Sequence, residues 1–303
     1  MQTNVAAYRS RTACLKTWPQ FLACGILFAL LSKLLILFQR SVLDVRLKEG
    51  FKKFPMCVSV LAYQGVRTLE QTLRTNAPLF ELVKEKYILF QQIDDPERHA
   101  WAESVSSKHI LTPRFQEENI GQRLAFAQLA NLCQMPFILV LEEDFKAAAD
   151  ADFKVQLSLG ISFLKNGTKA FRLRSRKFPG DPNYIYQSWL ASGGANGGRI
   201  EATHLIEYVT WEDAPERHIK ELQVCHEHPK TWCTSSKYAQ YTNNPTLYST
   251  HFLRWLVSQV PADSDVDFEE WLTQFWAKKD FPVAYSDGLF THERLDRTLG
   301  KVQ

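Results

Sequence analysis

The stretch from residue 135 to residue 145 reads MPFILVLEEDF, an apolar run that ends in three consecutive acids, Glu142, Glu143 and Asp144. A short apolar run closed by polar residues is typical of a buried parallel strand, because helices cover both faces of such strands. Open α/β sheets bind their ligands at the carboxyl ends of these strands. Adjacent carboxylates repel one another, so a cation or a donor-rich ligand would stabilise them there. A strand that simply runs out into solvent is the alternative interpretation.

The composition of the chain limits the classes of protein to consider. It has 303 residues, of which 45% are apolar, and a formal net charge of +3. This is enough apolar sequence for one large core or two smaller ones. The basic residues are spread out and largely balanced by acids, so no nucleic-acid partner is indicated. The six cysteines are too scattered for a disulfide scaffold, although Cys225 and Cys233 are close enough to be bonded in an oxidising compartment.

Residues 21–38 form an 18-residue run that is apolar apart from Gly25, Ser32 and Lys33. We expect a single-pass transmembrane signal anchor here, because this length just spans a thin bilayer. Residues 1–20 are then an N-terminal tail, and residues 39–54 are a polar, basic stalk. An arginine-rich transit peptide is the alternative. Charge does not indicate the orientation, since the basic residues after the run outnumber those before it.

Strand and helix patterns alternate after the stalk. β-prone apolar runs begin at Met56 and Tyr87, a short strand is expected at 110–111, and helical spacing covers 119–130 before the Phe137 strand. This alternation predicts an α/β fold with a mostly parallel sheet flanked by helices. We expect residues 55–145 to form a nucleotide-binding half, although neither GxGxxG nor GxxxxGK[ST] occurs there. Residues 146–303 differ in character and form a second half.

Two features of the second half carry charge that a ligand could use. A strand pattern covers 170–174, and its Arg172 could reach a phosphate, with a solvated strand face as the alternative. Near the C-terminus, the run FEEWLTQFW at 268–276 opens a predicted helix with Glu269 and Glu270. The helix dipole alone favours acids at this position. Glu270 is our candidate general base, because the adjacent Trp271 would raise the pKa of its carboxyl group.

These segments together resemble glycosyltransferases of the GT-A type, in particular the branch that includes N-acetylglucosaminyltransferase I. Glu142-Glu143-Asp144 resembles the Glu-Asp-Asp version of the family's DXD motif, and residues 268–272 resemble its acid-acid-Trp segment. The order of anchor, stalk and domain is similar to that of a type II Golgi enzyme. Two departures stand out: Glu143 replaces the family's middle Asp, and both acids of the second segment are Glu here.

The resemblance implies a membrane-anchored, metal-dependent transfer of a sugar from a UDP- or GDP-linked donor to a glycan or glycoprotein, in one inverting displacement. Mn²⁺ or Mg²⁺ would neutralise the leaving diphosphate. Asp144 would bind the metal, and His292 would complete its coordination. Glu270, with Glu269 beside it, would take the acceptor proton. Residues 146–303 would be the acceptor-binding and catalytic half, and the whole catalytic domain would lie in the lumen of the Golgi or ER. The candidate donor-binding residues are Ala62, Tyr63, Asp94, Glu142, Glu143 and Arg172.

Two other functions remain open from the sequence. A non-catalytic carbohydrate-binding or scaffold protein could retain the same fold, and the substitution at Glu143 leaves this possible. Metal-dependent hydrolysis of a phosphoester could use the same clustered acids. The Asn166-Gly167-Thr168 sequence is an N-glycosylation acceptor, which is informative if this part of the chain is lumenal.

Overall fold

The computed structural model describes residues 53–296 apart from 64, 181–183, 186–205, 207–208, 211–213, 218, 226–227, 229 and 263–265. The predicted tail and transmembrane anchor, and all but the end of the predicted stalk, lie outside the described residues. The chain divides into two units between residues 52 and 53, and only the second unit is described below. Among the described residues, no helix has the length and hydrophobicity needed to cross a bilayer.

Strands and helices alternate through the first half of the second unit, as predicted. The strands are β1 (Phe54–Ala62), β2 (Val83–Phe90), β3 (Thr112–Phe115), β4 (Phe137–Glu142), β5 (Phe145–Ala147), β6 (Ala170–Arg174), β7 (Tyr184–Ile185), β8 (Val209–Thr210), β9 (Gln223–Val224), β10 (Trp232–Ser235), β11 (Thr246–Ser249) and β12 (Pro282–His292). The α-helices are α1 (Val66–Thr75), α2 (Ala77–Leu82), α3 (Pro96–Lys108), α4 (Gly121–Leu132), α5 (Phe153–Lys165), α6 (Thr250–Ser258) and α7 (Phe268–Ala277). A 3₁₀ turn covers Pro215–Arg217.

Ten of these strands form one sheet in the order β3-β2-β1-β4-β11-β6-β12-β10-β9, with β5 paired to β12. The four strands from β3 to β4 are parallel, as is the β6–β12 pair, and the remaining neighbours are antiparallel. The expected parallel arrangement is therefore confirmed for β1 to β4, whereas the sheet as a whole is mixed. Both predicted halves, 55–145 and 146–303, contribute strands to it.

The core lies on both faces of this sheet. Along β1, Met56, Val58 and Val60 belong to one apolar cluster, while Cys57 and Leu61 belong to the other. This alternation follows from the two-residue period of a strand. Helices α4, α6 and α7 cover one face, and α1 and α5 cover the other. Strand β4 is consequently buried along 137–141 and reaches a less buried environment at Glu142, as the apolar run predicted.

The strand predicted at 110–111 is wrong, because the chain is still leaving α3 there. Ile110 has a φ of 56° and is 75% exposed, and its N–H bonds to the carbonyl oxygen of Ser107. A left-handed residue of this kind ends a helix. Strand β3 begins at Thr112 instead.

Arg172 lies in β6 as predicted, but neither interpretation of its charge is supported. Its side chain is fully buried, so it does not belong to a solvated face. The guanidinium donates to the carbonyl oxygens of Thr242 and Gln240 at 3.2 and 2.8 Å, and to Oγ1 of Thr246 at 2.8 Å. Its charge is thus used to hold the 240–246 segment in place, because a buried guanidinium needs such partners.

Two disulfides join the described cysteines. Cys225 is bonded to Cys233, as the sequence allowed. A second bond joins Cys57 in β1 to Cys133, the residue after α4. No pattern in the sequence predicted this pair, which is 76 residues apart.

Candidate active site

A cavity of about 1120 Å³ opens at the carboxyl ends of β1 and β4, which are adjacent in the sheet. Its walls come from the residues after β1, the start of α4, the three acids after β4, the segment before α7 and the segment after β12. Cavities of this size accommodate ligands as large as a cofactor. The acids Glu142, Glu143 and Asp144 all line it, where the sequence placed a ligand site.

Glu143 holds the loop that follows β1. Its carboxylate accepts from the backbone N–H of Tyr63 and, at 3.2 Å, from that of Gly65. A Cβ atom at residue 65 would lie 3.0 Å from Oε1 of Glu143, so the absence of a side chain permits this close approach. Glu143 therefore positions the cavity wall through these two backbone groups.

Asp144 is the most deeply buried of the three acids, with 1% of its surface exposed. Its Oδ2 lies 3.0 Å from Nε2 of His292 and accepts a hydrogen bond from Nε of Arg294. Burial raises the pKa of Asp144, but the hydrogen bonds and charges of His292 and Arg294 outweigh it and hold the pKa below its usual range. Within the described part of the chain, Oδ1 of Asp144 is buried without a hydrogen-bond partner.

The environment of Glu142 raises its pKa, whereas that of Asp144 lowers the pKa of Asp144. Burial, followed by the charges of Asp144 and Glu269, raises the pKa of Glu142 to about 8, against a lowering effect of Arg294. Its Oε1 accepts from Nε2 of Gln122 in the first turn of α4, at 3.3 Å. In the metal-free protein this carboxyl group is therefore mostly protonated at neutral pH.

The raised pKa of Glu142 makes the stability of the metal-free protein depend on pH. The folded protein holds this proton more tightly than the unfolded chain, so the free energy of unfolding falls as pH rises from about 4.5 to about 8. The contribution of this group reaches at most about 1.4 kcal/mol per pH unit. Glu142→Gln has no proton to lose and is expected to gain stability relative to wild type across that window. Urea unfolding of both proteins in the presence of chelator measures this difference. If the free energies of unfolding of the two proteins changed with pH in parallel, the raised pKa of Glu142 would be contradicted.

The residues around Asp144 fit a hard divalent cation. Carboxylate oxygens suit Mn²⁺ and Mg²⁺, and Mn²⁺ also accepts imidazole. The unpartnered Oδ1 of Asp144 offers one such ligand, and Nε2 of His292 would offer a second once it leaves its present contact with Oδ2 of the same carboxylate. The one group of three potential ligands found close together among the described residues is not at Asp144 but at Cys57, Glu85 and Cys133. Its two cysteines form a disulfide, so they do not offer thiolates to a metal.

The structure brings some of the predicted donor-binding residues to the cavity and leaves others away from it. Ala62 is the buried last residue of β1, and Tyr63 lines the cavity beside it. Asp94 is exposed after β2 and does not line the cavity. Arg172 is in the core, bonded to the 240–246 segment, and is also not a lining residue. A direct donor contact is thus not supported for Asp94 or Arg172.

The two acids of α7 are in different environments. Glu269 is half-buried, accepts from the backbone N–H of Asn243 at 3.2 Å, and contributes to the raised pKa of Glu142. Glu269 is therefore electrostatically close to Glu142. Glu270 is exposed, and its backbone N–H bonds to the helix-capping Asp267 at 3.2 Å. Neither acid lines the cavity. The role of Glu270 as the base stays a prediction, and Glu269 is the acid of this helix whose charge acts on Glu142.

No protein-family model and no curated protein matches the chain. Among solved structures, it is similar to the mannosyltransferase PcManGT from Pyrobaculum calidifontis in complex with GDP-Man and Mn²⁺, at 11% identity and a TM-score of 0.47, over 91% of this chain and 68% of that one. It is also similar to S. aureus TarS 1–349 in complex with UDP-GlcNAc, at 10% identity and a TM-score of 0.46, over 83% and 62% of the two chains. This chain thus spans less than two thirds of that TarS fragment. At such identities, what this chain does has to be inferred from its own residues.

Several residues that line the cavity were not predicted as site residues from the sequence. Arg67 follows β1, Arg123 lies in the first turn of α4, and Arg294 and Asp296 follow β12. The predicted strand ends could have pointed to Arg67 and Arg123, because parallel strands place such residues at one edge of the sheet. No local pattern predicts that residues 294 and 296 return to this edge.

Proposed function

We propose that the protein is a metal-dependent glycosyltransferase that moves a sugar from a nucleotide-sugar donor to a glycan or glycoprotein acceptor. The observation that carries this proposal is the buried Asp144, whose unpartnered Oδ1 lies at the carboxyl end of β4 beside a large cavity. A nucleotide diphosphate with a cation would suit both the cavity and this carboxylate. Arg67 and Arg123 add positive charge to cavity walls that also carry five carboxyl groups, so an anionic donor would need a cation as well.

Asp144 and His292 would hold Mn²⁺ or Mg²⁺ in this site. Such an ion neutralises charge that develops on a leaving diphosphate. Glu142 and Gln122 would offer polar groups to the ribose or base of the nucleoside, and Glu143 would act by holding the backbone of residues 63 and 65. The three acids would thus have different roles: Asp144 in binding the metal, Glu142 in binding the nucleoside and Glu143 in positioning the backbone.

We assign the proton transfer to Glu269. Its carboxylate would accept the proton of the acceptor hydroxyl while that oxygen forms a bond to the anomeric carbon of the donor sugar. The bond from this carbon to the diphosphate oxygen breaks in the same step, and the nucleotide leaves with the electron pair. Attack from the face opposite the leaving group inverts the anomeric centre. General base catalysis of this kind contributes about 10²–10⁴-fold to a rate.

A non-catalytic carbohydrate-binding or scaffold protein is the second candidate. One observation favours it: His292 and Arg294 already occupy Oδ2 of Asp144, so the carboxylate is partly neutralised without a metal. Calorimetric titration of UDP and GDP, each with Mn²⁺ and with chelator, separates the two functions. Binding of one nucleotide only with metal supports a transferase, and the absence of binding by either nucleotide supports the scaffold.

We also propose that the folded unit lies in an oxidising compartment, on the lumenal side of a Golgi or ER membrane. Two disulfides support this location, because such bonds are rare in the cytosol. The glycosylation acceptor Asn166 is exposed in the turn after α5, where an enzyme can reach it.

Expression in a secretory host cell is therefore expected to attach a glycan to Asn166. The protein should migrate faster on gels after treatment with an N-glycosidase, and Asn166→Gln should remove that difference. Thr168→Val should behave like Asn166→Gln, whereas Thr168→Ser retains the acceptor sequence and should keep the glycan. An unglycosylated wild-type protein would count against the lumenal location.

A further inference from the structure

The segment after β12 folds back over the candidate metal site. We call residues Glu293–Asp296 the closing segment. Its first residue accepts from Nζ of Lys146 and from Nε2 of Gln71 at 2.9 Å. Its second, Arg294, donates to Oδ2 of Asp144, and both Arg294 and Asp296 line the cavity. The segment therefore forms part of the wall where a nucleotide would bind.

Arg294 provides the positive charge that a metal would otherwise bring to Asp144. Its guanidinium is about half exposed, with 48% of the side chain accessible, so the Asp144 contact rather than packing holds it. A divalent cation on Asp144 would repel a guanidinium on the same carboxylate, and this repulsion is strong in a partly buried site. The two positive groups are therefore expected to exclude one another.

Asp296 fastens the far end of the closing segment to α1. Its Oδ2 accepts from the backbone N–H of Thr68 at 3.0 Å and from the Thr68 hydroxyl at 2.9 Å. The same hydroxyl oxygen accepts from the backbone N–H of Leu295 at 3.0 Å. Thr68 is 2% exposed, so these bonds are shielded from water. These bonds keep Arg294 near Asp144, because Arg294 is only two positions before Asp296.

We propose that the closing segment is an internal competitor of the metal, with Arg294 occupying Asp144 in the free protein and the Asp296–Thr68 bonds favouring that state. Metal binding then requires Arg294 to leave Asp144 and loosens the segment. The inference rests on the proposed function, which gives the cation to Asp144. It adds a specific cost to metal binding that residues 294, 296 and 68 determine.

Calorimetric titration of the full chain with Mn²⁺ alone tests the competition between Arg294 and the metal. Arg294→Ala is expected to bind Mn²⁺ about tenfold more tightly than wild type, within the range common for coupled sites. Arg67→Ala removes one positive charge from the same cavity without touching the closing segment, and is expected to change the affinity much less. Equal gains in the two variants would overturn the proposal, because they would reflect net charge alone.

Two further variants release the segment at Thr68. Asp296→Asn removes a negative charge from the cavity, so simple electrostatics predicts weaker Mn²⁺ binding, whereas the proposal predicts tighter binding. Thr68→Val changes no charge and is also expected to tighten binding. Weaker binding by Asp296→Asn together with unchanged binding by Thr68→Val would overturn the proposal.

Amide hydrogen exchange of the 293–296 region, followed by mass spectrometry, gives a readout without activity. In metal-free protein, exchange is expected to be slow in wild type and faster in Thr68→Val, and saturating Mn²⁺ should accelerate it in wild type. If wild type and all variants bind Mn²⁺ equally well, the closing segment is not a competitor and the metal site stands. If none of them binds Mn²⁺ or Mg²⁺, both the competition and the metal-dependent function fail.

Discussion

Asp144→Asn is expected to lower sugar transfer by about 10²–10³-fold, the loss typical when a group that stabilises transition-state charge is removed. Asparagine keeps the shape of the side chain but loses the charge that would hold the cation. Metal-dependent binding of the nucleotide should disappear in the same variant. Radiolabelled transfer and calorimetric titration with Mn²⁺ measure the two effects separately. Because the hydrogen bonds from His292 and Arg294 lose a charged acceptor, some loss of stability is also expected.

The matched control for this substitution is Asp280→Asn. Asp280 also pairs with a cation, Lys237 at 2.7 Å, but both side chains are about half exposed and neither lines the cavity. Its loss should leave transfer and nucleotide binding close to wild type. A folded Asp144→Asn protein that still binds nucleotide only with metal would show that Asp144 does not hold the cation.

Glu269→Gln is expected to reduce kcat by about 10²–10⁴-fold while the affinity for the nucleotide stays close to wild type. The amide oxygen of glutamine can still accept from the Asn243 N–H, so the local structure should be retained. Glu270→Gln changes the next residue of the same helix and is expected to have a small effect, because Glu270 is exposed. Initial rates at saturating donor, with nucleotide titration in parallel, distinguish loss of chemistry from loss of binding.

The pair of variants decides between the two acids directly. A large loss in Glu270→Gln with near-normal Glu269→Gln would restore Glu270 as the base, as the sequence first indicated. Near-normal rates in both would place the base elsewhere in the cavity. Glu142 would then be the next residue to replace, because its raised pKa lies close to neutral pH.

The parts of the fold that follow from local pattern were predictable. The apolar run 137–141 is a buried strand, and the acids after it line a cavity because parallel neighbours place their carboxyl ends at one edge. The mixed sheet was not predictable. Strand β11 has only four residues, and its antiparallel pairing with β4 joins positions more than a hundred residues apart. The local periodicity of the sequence cannot predict such a long-range pairing.

The candidate site was also predictable only in part. Asp144 and His292 were expected as metal ligands, and they lie 3.0 Å apart through Oδ2 and Nε2, although their joint role stays a prediction. Arg172 shows where pattern reasoning failed. An arginine in such a pattern is usually a surface or ligand-binding group, yet this one lies in the core and donates to carbonyl and hydroxyl groups of residues 240–246. Those partners are distant in sequence, so the burial of the charge could not be inferred.

The bond between Cys57 and Cys133 constrains where this chain can mature. It closes a loop between residues 76 positions apart, and the loss of unfolded-chain entropy from such a loop corresponds to about 4 kcal/mol in the entropic description of disulfides. Whole domains are commonly stable by only about 5–15 kcal/mol. A chain synthesised in a reducing environment would lack this bond. Its free energy of unfolding would therefore be lower than that of the oxidised form by a large part of what a typical domain has.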